Sequence, residues 1–268
     1  MTPTLSVAAG QAATPSLTAA RNDHDVGPLH FGPFPITETQ TFPPPTAAQC
    51  WAYLTLNAEI ALSLSDNPAL QQLIRSTRVR ISVDGQWVWW ALRRKYPRRA
   101  LAKLSGSDLI HRIAAHCAVQ GQRLLLLGSS AHANALAVQA LRQRHPGLDV
   151  AGYAPPRYVL DGAGERVMVD TSLEAIQAHQ PHYVVLGLGA EKEQRFALQT
   201  LPSLDGIVNG LFCFGGAIDL AGGEVRRAPA LWQRTGVEGL YRVLQQPSRA
   251  GRFFRVLRVV PVLAAGHY

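Results

Sequence analysis

Asp84 is the residue whose position most directly suggests chemistry. It follows the apolar run Val79–Val83 and precedes Gly85, which allows the backbone to turn sharply beneath a ligand. At the tip of a buried strand, its carboxylate could act as a general base that takes a proton from a substrate hydroxyl. Position alone, however, favours an ordinary Asp-Gly turn over a catalytic role.

Other polar and glycine-containing segments could bind a ligand beside that carboxylate. Thr55 and Asn57 offer a hydroxyl and an amide, although taken alone they are more typical of turns or helix caps. Gly128-Ser129 could hold a phosphate or a ribose where a helix begins, and the absence of a GxGxxG pattern weakens a dehydrogenase reading. The turn Gly187-Leu188-Gly189 is a second nucleotide-facing candidate, although structure alone explains most such turns.

Three apolar runs predict the buried strands that would position these segments. They are Val79–Val83, Arg123–Leu127 and Tyr183–Leu186, and each is followed by a glycine-containing turn. Ala131–Arg144 follows the second run with helical spacing of its apolar residues. This alternation predicts an α/β domain with a Rossmann-like parallel sheet. Ligands gather at the carboxyl ends of such strands, so the three turns are the first candidates for a site.

The charge of the chain is concentrated near its C-terminus. The 268 residues carry a net charge of +8, and 47% of them are apolar, which is enough for a large core. Between Arg226 and Arg258, eight arginines accompany only one acidic residue, Glu238, so this stretch alone supplies +7. A localised cationic segment predicts a localised anionic partner, namely phospholipid, a diphosphate or nucleic acid.

Composition divides the chain into three predicted parts. Residues 1–45 are rich in Ala, Thr and Pro and predict a mostly disordered leader, residues 46–225 the α/β core, and residues 226–268 an arginine-rich helical appendage. The three cysteines have no CxxC spacing, which predicts neither a zinc site nor a disulfide framework and fits a reducing cytosol. Neither a signal peptide nor an apolar run of about 20 residues is visible, so we expect any membrane contact to be peripheral.

The predicted appendage contains two amphipathic stretches. Val237, Leu240, Tyr241 and Leu244 have helical spacing and predict a helix that packs one face on the core. From Arg249 until Pro261, apolar residues gather on one side of a helical projection and arginines on the other. This pattern is typical of a helix that lies in a membrane interface. A basic helix packed on its own domain is the alternative.

Motifs over residues 50–258 resemble the WecG/TagA/CpsF family of bacterial glycosyltransferases. The C-terminal half of the resemblance rests on four segments in the family's order and spacing: Gly215 to Gly223, Arg227-Ala228-Pro229, Gly236 to Arg242 and Gln246 to Arg249. Earlier segments also match: Thr55-Leu56-Asn57, Asp84-Gly85, Ser105 to Leu109, His145 to Leu148 and Gly187 to Gly189.

The resemblance implies an inverting, metal-independent transferase of the GT-E type that requires no cofactor. The donor would be a UDP-sugar, carrying N-acetylmannosamine, its uronic acid or a hexose such as glucose. The acceptor would be a saccharide on a polyprenyl diphosphate, used in cell-surface or exopolysaccharide synthesis. The enzyme would be cytoplasmic and bound peripherally to the anionic inner face of the membrane.

Carried over residue by residue, the resemblance also implies a set of site residues. Asp84 would be the general base, with Thr55 and Asn57 beside it. The expected substrate-binding residues are Gly85, Lys103, Gly128, Ser129, Gly187, Gly189, Lys192, Glu193, Gln194, Arg242, Arg249 and Arg252. The arginines would offset the charge of the departing UDP by paired contacts with phosphate oxygens.

Several positions depart from the family pattern. The family's P-K-Q-E is Glu191-Lys192-Glu193-Gln194 here, which leaves open whether Glu193 or Gln194 takes the polar substrate-contacting role. Lys103 replaces the usual arginine and keeps the charge without paired phosphate recognition. Gly239 stands where the family has a tryptophan. These changes suggest a divergent branch with its own sugar.

Two other classes of function remain open from the sequence. The altered loop around Glu193 would suit an inactive relative that only scaffolds polysaccharide synthesis, whereas the intact Asp84 favours an enzyme. The basic tail would suit a nucleic-acid-binding protein, but no recognised nucleic-acid-binding motif accompanies it, so no nucleic-acid partner is expected. The sequence leaves the donor sugar, the acceptor glycan and a homo-oligomeric state open.

Overall fold

A parallel β-sheet forms the centre of the computed structural model, which describes residues 29–37, 49–65, 67–158, 162–247 and 250–257. The sheet has six strands in the order β4-β3-β8-β7-β5-β6. They are β3 (Trp51–Leu56), β4 (Val79–Val83), β5 (Arg123–Gly128), β6 (Asp149–Tyr153), β7 (Tyr183–Gly187) and β8 (Gly210–Cys213). The three strands predicted from apolar runs are confirmed as β4, β5 and β7.

Helices cover both faces of this sheet. They are α1 (Ala58–Ser65), α2 (Pro68–Ile74), α3 (Gln86–Lys95), α4 (Gly106–Gln120), α5 (Ala131–Arg144), α6 (Ala163–His179), α7 (Lys192–Thr200) and α8 (Ala217–Ala221), with a 3-10 turn at Leu201–Leu204. Helix α5 has the predicted bounds, and the Ser130 hydroxyl caps it by accepting from the backbone N–H of Ala133 at 3.0 Å.

The leucines of β5 show why its sequence is continuously apolar. Leu125 and Leu127 pack into the core formed with α1, α2, α3, α6 and α7. Leu124 and Leu126 pack into the opposite core, formed with α4, α5 and α8. A strand that is buried on both faces requires apolar residues at consecutive positions. The α/β class with a Rossmann-like parallel sheet, predicted from these runs, is therefore confirmed.

A short antiparallel hairpin extends the fold beyond the sheet. Its strands are β1 (Leu29–Phe31) and β2 (Phe34–Ile36), and their apolar side chains are buried in the larger core. Thr37 continues along the edge of β4, because its N–H donates to the Ile81 carbonyl at 3.0 Å and its hydroxyl accepts from the Ile81 N–H at 2.7 Å. The expectation of disorder was therefore wrong for residues 29–37, since strands of three residues give too short an alternation to recognise. The rest of the predicted leader up to residue 45 lies outside the described residues.

Three helices follow the core near the C-terminus: α9 (Ala230–Arg234), α10 (Glu238–Gln245) and α11 (Ala250–Leu257). Helix α10 packs against α9 and α11, and α11 also contacts α1. The predicted helix around Val237–Leu244 is confirmed as α10. The second predicted helix is confirmed over Ala250–Leu257, and its remainder up to Pro261 lies outside the described residues. Across the part of the chain that the structure describes, no helix is both long and apolar enough to cross a membrane.

Candidate active site

The connections that leave β3 and β8 create a crevice at the carboxyl edge of the sheet. These two strands are adjacent and parallel, with Leu54 level with Cys213. After β3 the chain enters α1 on one face of the sheet, and after β8 it enters α8 on the other face. A crevice opens where neighbouring connections diverge in this way, and it is the usual ligand site of an open parallel sheet.

A pocket of about 80 Å³ lies in this crevice and collects residues from distant parts of the chain. Its lining includes Thr55 near the end of β3, Asn57 after β3, Asp84 after β4, Gly189 after β7, Gly215 after β8 and Arg242 from α10. Five of the residues predicted from the sequence therefore line this pocket, namely Thr55, Asn57, Asp84, Gly189 and Arg242, and Gly85 lines the adjoining cavity.

The backbone fixes Asp84 at the rim of this pocket. Its N–H donates to the Leu56 carbonyl at 2.8 Å and so extends the β3–β4 ladder by one residue. Gly85 then turns with a φ of +76°, and a Cβ atom there would lie 3.2 Å from the Asn57 Cβ. The turn therefore requires glycine, both for its left-handed backbone and for its close packing on Asn57.

The surroundings of Asp84 favour a carboxylate that holds its proton more tightly than usual. Partial burial raises its pKa most, and the nearby charge of Glu238 raises it further. Arg242 opposes this rise, as do hydrogen bonds from the Gly85 N–H, at 2.7 Å, and from the Ser105 side chain. A carboxylate with a raised pKa is a stronger base than one in water, and a general base needs this property.

Thr55, near the end of β3, and Asn57, just after it, support the pocket in different ways. The Thr55 side chain is buried, and its hydroxyl donates to the Cys213 carbonyl at 3.4 Å, so it ties β3 to β8. The Asn57 Oδ1 accepts from the Ile60 N–H at 3.0 Å and caps α1. The capping role that the sequence allowed for Asn57 is therefore present, and the residue still lines the pocket beside Asp84.

The first turn of α4 provides hydroxyl groups at the same pocket. Ser105 and Ser107 both line it, and their hydroxyl oxygens lie 3.0 Å apart. Gly106 lies between them, where an added Cβ would come within 3.0 Å of Phe214. The glycine thus lets the beginning of a 15-residue helix approach the β8 connection closely. The N–H groups at this helix start and its positive dipole end favour a negatively charged ligand.

Helix α10 closes the pocket from the C-terminal side. Arg242 pairs with Glu238 one turn earlier, with 3.2 Å between the charged atoms. The loop that leads into α10 is fixed to the core because the Trp87 indole N–H donates to the Gly236 carbonyl at 2.9 Å. This bond joins the helix after Asp84 to the segment that carries Arg242.

A larger cavity of about 210 Å³ adjoins this pocket at Asp84. Asn57, Asp84 and Arg242 line it as well, so it adjoins the same polar groups. The rest of its wall is mainly apolar and comes from α3, α11, and α10 with the residue before it: Trp87, Val88, Val237, Val243, Phe253, Val256 and Leu257. A Cβ at Gly239 would lie 2.9 Å from the Phe253 ring, so the glycine at this position lets α11 pack closely on α10.

Gly128, Ser129 and Gly187 lie at neighbouring strand ends but do not line either cavity beside Asp84. A Cβ at Gly128 would lie 2.6 Å from the Gly187 backbone, so this glycine serves close packing of β5 on β7. Ser129 has a left-handed backbone, and its hydroxyl donates to the Asp219 carboxylate. The structure therefore gives these residues packing contacts next to the pocket.

Residues 192–194 have three different environments. The Lys192 ammonium donates to the Tyr158 carbonyl at 2.6 Å and lies 4.1 Å from the centre of the Tyr158 ring. Glu193 is buried, and its carboxylate binds the backbone of Gly189 and Gly215, both of which line the pocket. Gln194 is fully buried in the first turn of α7. Of the two candidates for the polar role, only Glu193 is joined directly to pocket-lining loops.

The remaining predicted residues are Lys103, Arg249 and Arg252. Lys103 donates to the Gln86 side chain at 3.1 Å, and Gln86 lines the larger cavity, so Lys103 lies one residue away from it. Arg249 lies outside the described residues. Arg252 belongs to α11, but its side chain also lies outside what the structure describes.

Some pocket residues were not among those predicted from the sequence. Ser105, Ser107 and Glu238 are the clearest cases, since each lines a cavity together with Asp84. The two serines flank a glycine in the segment Ser105 to Leu109 that matches the family, a signal that could have identified them. Glu238 is the one acidic residue of the arginine-rich stretch, and that isolation is its only sequence signal.

Comparison with known proteins gives one family-level match. The sequence model of the glycosyl transferase WecG/TagA/CpsF family matches residues 46–266, which is most of the 268-residue chain. The matched region contains the whole parallel sheet and every residue that lines the two cavities beside Asp84.

Proposed function

Because this chain belongs to the WecG/TagA/CpsF family of glycosyltransferases, which act in cell-surface polysaccharide synthesis, we propose that it transfers a sugar from a UDP-sugar to a saccharide on a polyprenyl diphosphate. The observation that carries this proposal is the convergence of Asp84, Ser105 and Arg242 on one pocket in the β3–β8 crevice. These groups are a base and two kinds of phosphate-binding group.

The smaller pocket suits the donor diphosphate. The start of α4 presents N–H groups together with the Ser105 and Ser107 hydroxyls, and Arg242 adds a permanent positive charge. Hydroxyl and N–H donors and a guanidinium group all bind phosphate oxygens. These groups would offset the negative charge that grows on UDP as it leaves, which is why we propose that the reaction needs no divalent metal.

The larger cavity suits the acceptor. It reaches Asp84 at one end, and its apolar wall lies between α3 and the two last helices. An acceptor with a polar saccharide and an apolar lipid stem would place its reacting hydroxyl at Asp84 and its stem along that wall. Aromatic side chains such as Trp87 and Phe253 provide faces on which a sugar ring can pack.

In the proposed reaction, Asp84 removes the proton from the acceptor hydroxyl as that oxygen attacks the anomeric carbon of the donor. A new glycosidic C–O bond forms while the bond between the anomeric carbon and the UDP oxygen breaks. The electron pair of the broken bond leaves with UDP, and the proton remains on Asp84 until solvent removes it. Attack opposite the leaving group inverts the anomeric centre.

The last helices would also attach the enzyme to an anionic membrane surface. Apolar side chains are exposed in this segment: Leu231, Leu244, Phe254 and Leu257. The arginines of residues 226–258 supply a net charge of +7, and each basic residue near an anionic bilayer contributes about 1 kcal/mol. Together they would give reversible, salt-sensitive attachment at the inner face of the cytoplasmic membrane.

The function is tested by incubating the purified protein with a panel of UDP-sugars and a lipid-diphosphate saccharide. Release of UDP that depends on the acceptor is the expected result. The absence of any acceptor-dependent release across the panel would instead favour a scaffold, which binds the same molecules without turnover.

The membrane proposal has its own test, with vesicles that contain phosphatidylglycerol at low salt. We expect truncation before Arg249 to release the protein from vesicles and to lower turnover on a short, water-soluble acceptor. Phe254→Glu should weaken vesicle binding, whereas Val167→Glu, which alters an exposed apolar residue on α6, should not. Full vesicle binding by the truncated protein would contradict the membrane proposal, and unchanged turnover would restrict the segment to an anchoring role.

A further inference from the structure

Glu193 is a buried carboxylate at the beginning of α7. Only 1% of the residue is exposed, although most glutamates in proteins face solvent. The helix begins just after the β7 connection, so its first turn lies beneath the loops at the carboxyl edge of the sheet. A buried carboxylate is tolerated when hydrogen bonds replace the water that it has lost.

Both carboxylate oxygens of Glu193 bind backbone groups, and they do so in two different loops. Oε1 accepts from the Gly189 N–H at 3.0 Å, and Oε2 accepts from the Gly215 N–H at 3.1 Å. Gly189 follows β7, Gly215 follows β8, and both line the pocket beside Asp84. One side chain therefore connects two loops that belong to neighbouring strands.

The two loops need such a connection because their own backbones do not belong to a helix or a strand. Gly189 has a φ of +97° and Gly215 a φ of +60°, and an added Cβ at either position would meet nothing within 4 Å. Glycines in open space keep many backbone conformations in the absence of a specific partner. The Glu193 hydrogen bonds select one of them.

We propose that Glu193 is a positioning residue that holds the Gly189 and Gly215 loops together and so sets the shape of the donor pocket. The expected effect of Glu193 on donor binding rests on the proposed function, because it assumes that the pocket binds UDP. The restraint of the two loops is independent of any reaction. The sequence left open whether Glu193 or Gln194 contacts the substrate. Under this proposal Glu193 acts by holding the two loops and does not touch the substrate.

The ionised form of Glu193 is the one that can restrain both loops. A carboxylate accepts at both oxygens, whereas a protonated carboxyl group must donate from one of them. Burial raises the pKa of Glu193 to about 7, and the N–H groups of Gly189, Gly215 and Leu188 oppose that rise. The loops would therefore loosen as the pH falls below neutrality.

Other titratable groups surround this carboxyl group. Glu59 raises its pKa slightly by charge repulsion. The thiol of Cys213 and the phenol of Tyr158 also interact with it, and burial raises the pKa of both, so they remain neutral around pH 7. Glu193 is therefore the group of this cluster whose charge changes near neutral pH.

The matched substitution is Glu193→Gln, which keeps the shape but presents an NH2 group to one of the two loop N–H groups. Glu165→Gln is the control, because Glu165 is also a buried glutamate and its carboxylate binds Arg195 and Gln199 on α7. Both variants should first be shown to fold by circular dichroism.

The first measurement is hydrogen exchange of the unliganded protein at pH 8, read by mass spectrometry on peptides that cover 188–190 and 214–216. We expect exchange to be about tenfold faster in Glu193→Gln in the peptide whose loop N–H faces the new NH2 group, since that charge-assisted hydrogen bond is lost, and unchanged in both peptides of Glu165→Gln. Exchange in wild type should approach that of Glu193→Gln at pH 6 after correction for intrinsic rates. Equal protection in Glu193→Gln and wild type at pH 8 would overturn the inference.

The second measurement is the Kd of UDP by titration calorimetry from pH 6 to pH 8.5. The ratio of the Glu193→Gln Kd to the wild-type Kd should be about tenfold at pH 8.5 and approach one at pH 6, where Glu193 is protonated. A ratio that does not change with pH would show that ionisation of Glu193 does not shape the pocket. If wild type failed to bind UDP, the proposed donor would be wrong, and the exchange measurement would still decide whether Glu193 restrains the loops.

Discussion

Ionisation of Glu193 should lower the stability of the folded protein, which is the opposite of the usual behaviour of an acidic residue. Its pKa is about 7 in the fold, compared with about 4.5 in an unfolded chain. Between these values the folded state holds a proton that the unfolded state has released, so stability falls as the pH rises. The stabilisation is fully present below pH 4.5 and is lost by the time the pH passes about 7.

The size of the effect follows from the difference between the two pKa values. Each pKa unit corresponds to about 1.4 kcal/mol, so ionisation of Glu193 should cost roughly 3 kcal/mol of unfolding free energy across this window. The assay is urea unfolding of wild type and Glu193→Gln at several values between pH 4.5 and pH 8. Other titrating groups are shared, so the difference between the two proteins isolates Glu193.

We expect wild type to lose about 3 kcal/mol relative to Glu193→Gln as the pH rises through this range. A pH-independent difference would refute the reasoning, because it would mean that Glu193 is ionised equally in both states. A wild type that gains relative stability with rising pH would show that the N–H donors outweigh burial. In either case Glu193 would stay ionised between pH 6 and pH 8, so the proposed loosening of the loops over that range would be wrong, whereas the restraint itself would remain.

Three further outcomes follow from the site and its surroundings. Glu238→Gln should move the acid limb of the pH–rate profile to lower pH, because it removes a negative charge that helps to raise the pKa of Asp84. Measurement of kcat/KM across pH checks this shift, and an unchanged acid limb would argue against it. Arg195→Met should cost about 3 kcal/mol of stability, because it removes two 2.8 Å hydrogen bonds from the buried Glu165. Arg78→Met removes the more exposed pair with Asp205 and should cost at most about 1 kcal/mol. Urea unfolding of the two variants measures both losses. Turnover in excess EDTA should stay close to its value without chelator, and a large loss restored by Mn²⁺ would reveal a metal site.

The apolar runs predicted the core of the fold because burial on both faces leaves a strong signal. Four consecutive leucines in β5 are unusual outside a doubly covered strand, and the regular spacing of α5 gave its bounds. The hairpin at Leu29–Ile36 was missed, since each strand contributes only three residues and its stability comes from contacts with β4 and the core.

The site could be predicted where a single segment carries the signal. The position of Asp84 and Gly85 directly after a predicted strand identified them as site candidates. The family resemblance supported Thr55, Asn57 and Arg242. The contact of Glu193 with Gly215 could not be predicted, because it depends on β7 lying beside β8.

Lys192 illustrates a different limit of the sequence. The family resemblance places Lys192 among the substrate-binding residues, but its ammonium group lies on Tyr158, a residue 34 positions earlier. The path of the loop that carries Tyr158 decides this contact, and local sequence does not specify that path. The role of Lys192 in substrate binding stays a prediction.

Replacement of Asp84 by asparagine tests the account most directly, because the change keeps the shape of the side chain and removes the proton acceptor. The measurement is turnover of a UDP-sugar with a lipid-diphosphate acceptor, together with the Kd of UDP for the same variant. We expect turnover to fall by roughly 10² to 10⁴ while UDP binding is largely kept. Turnover close to that of wild type would contradict the account and remove Asp84 from the mechanism.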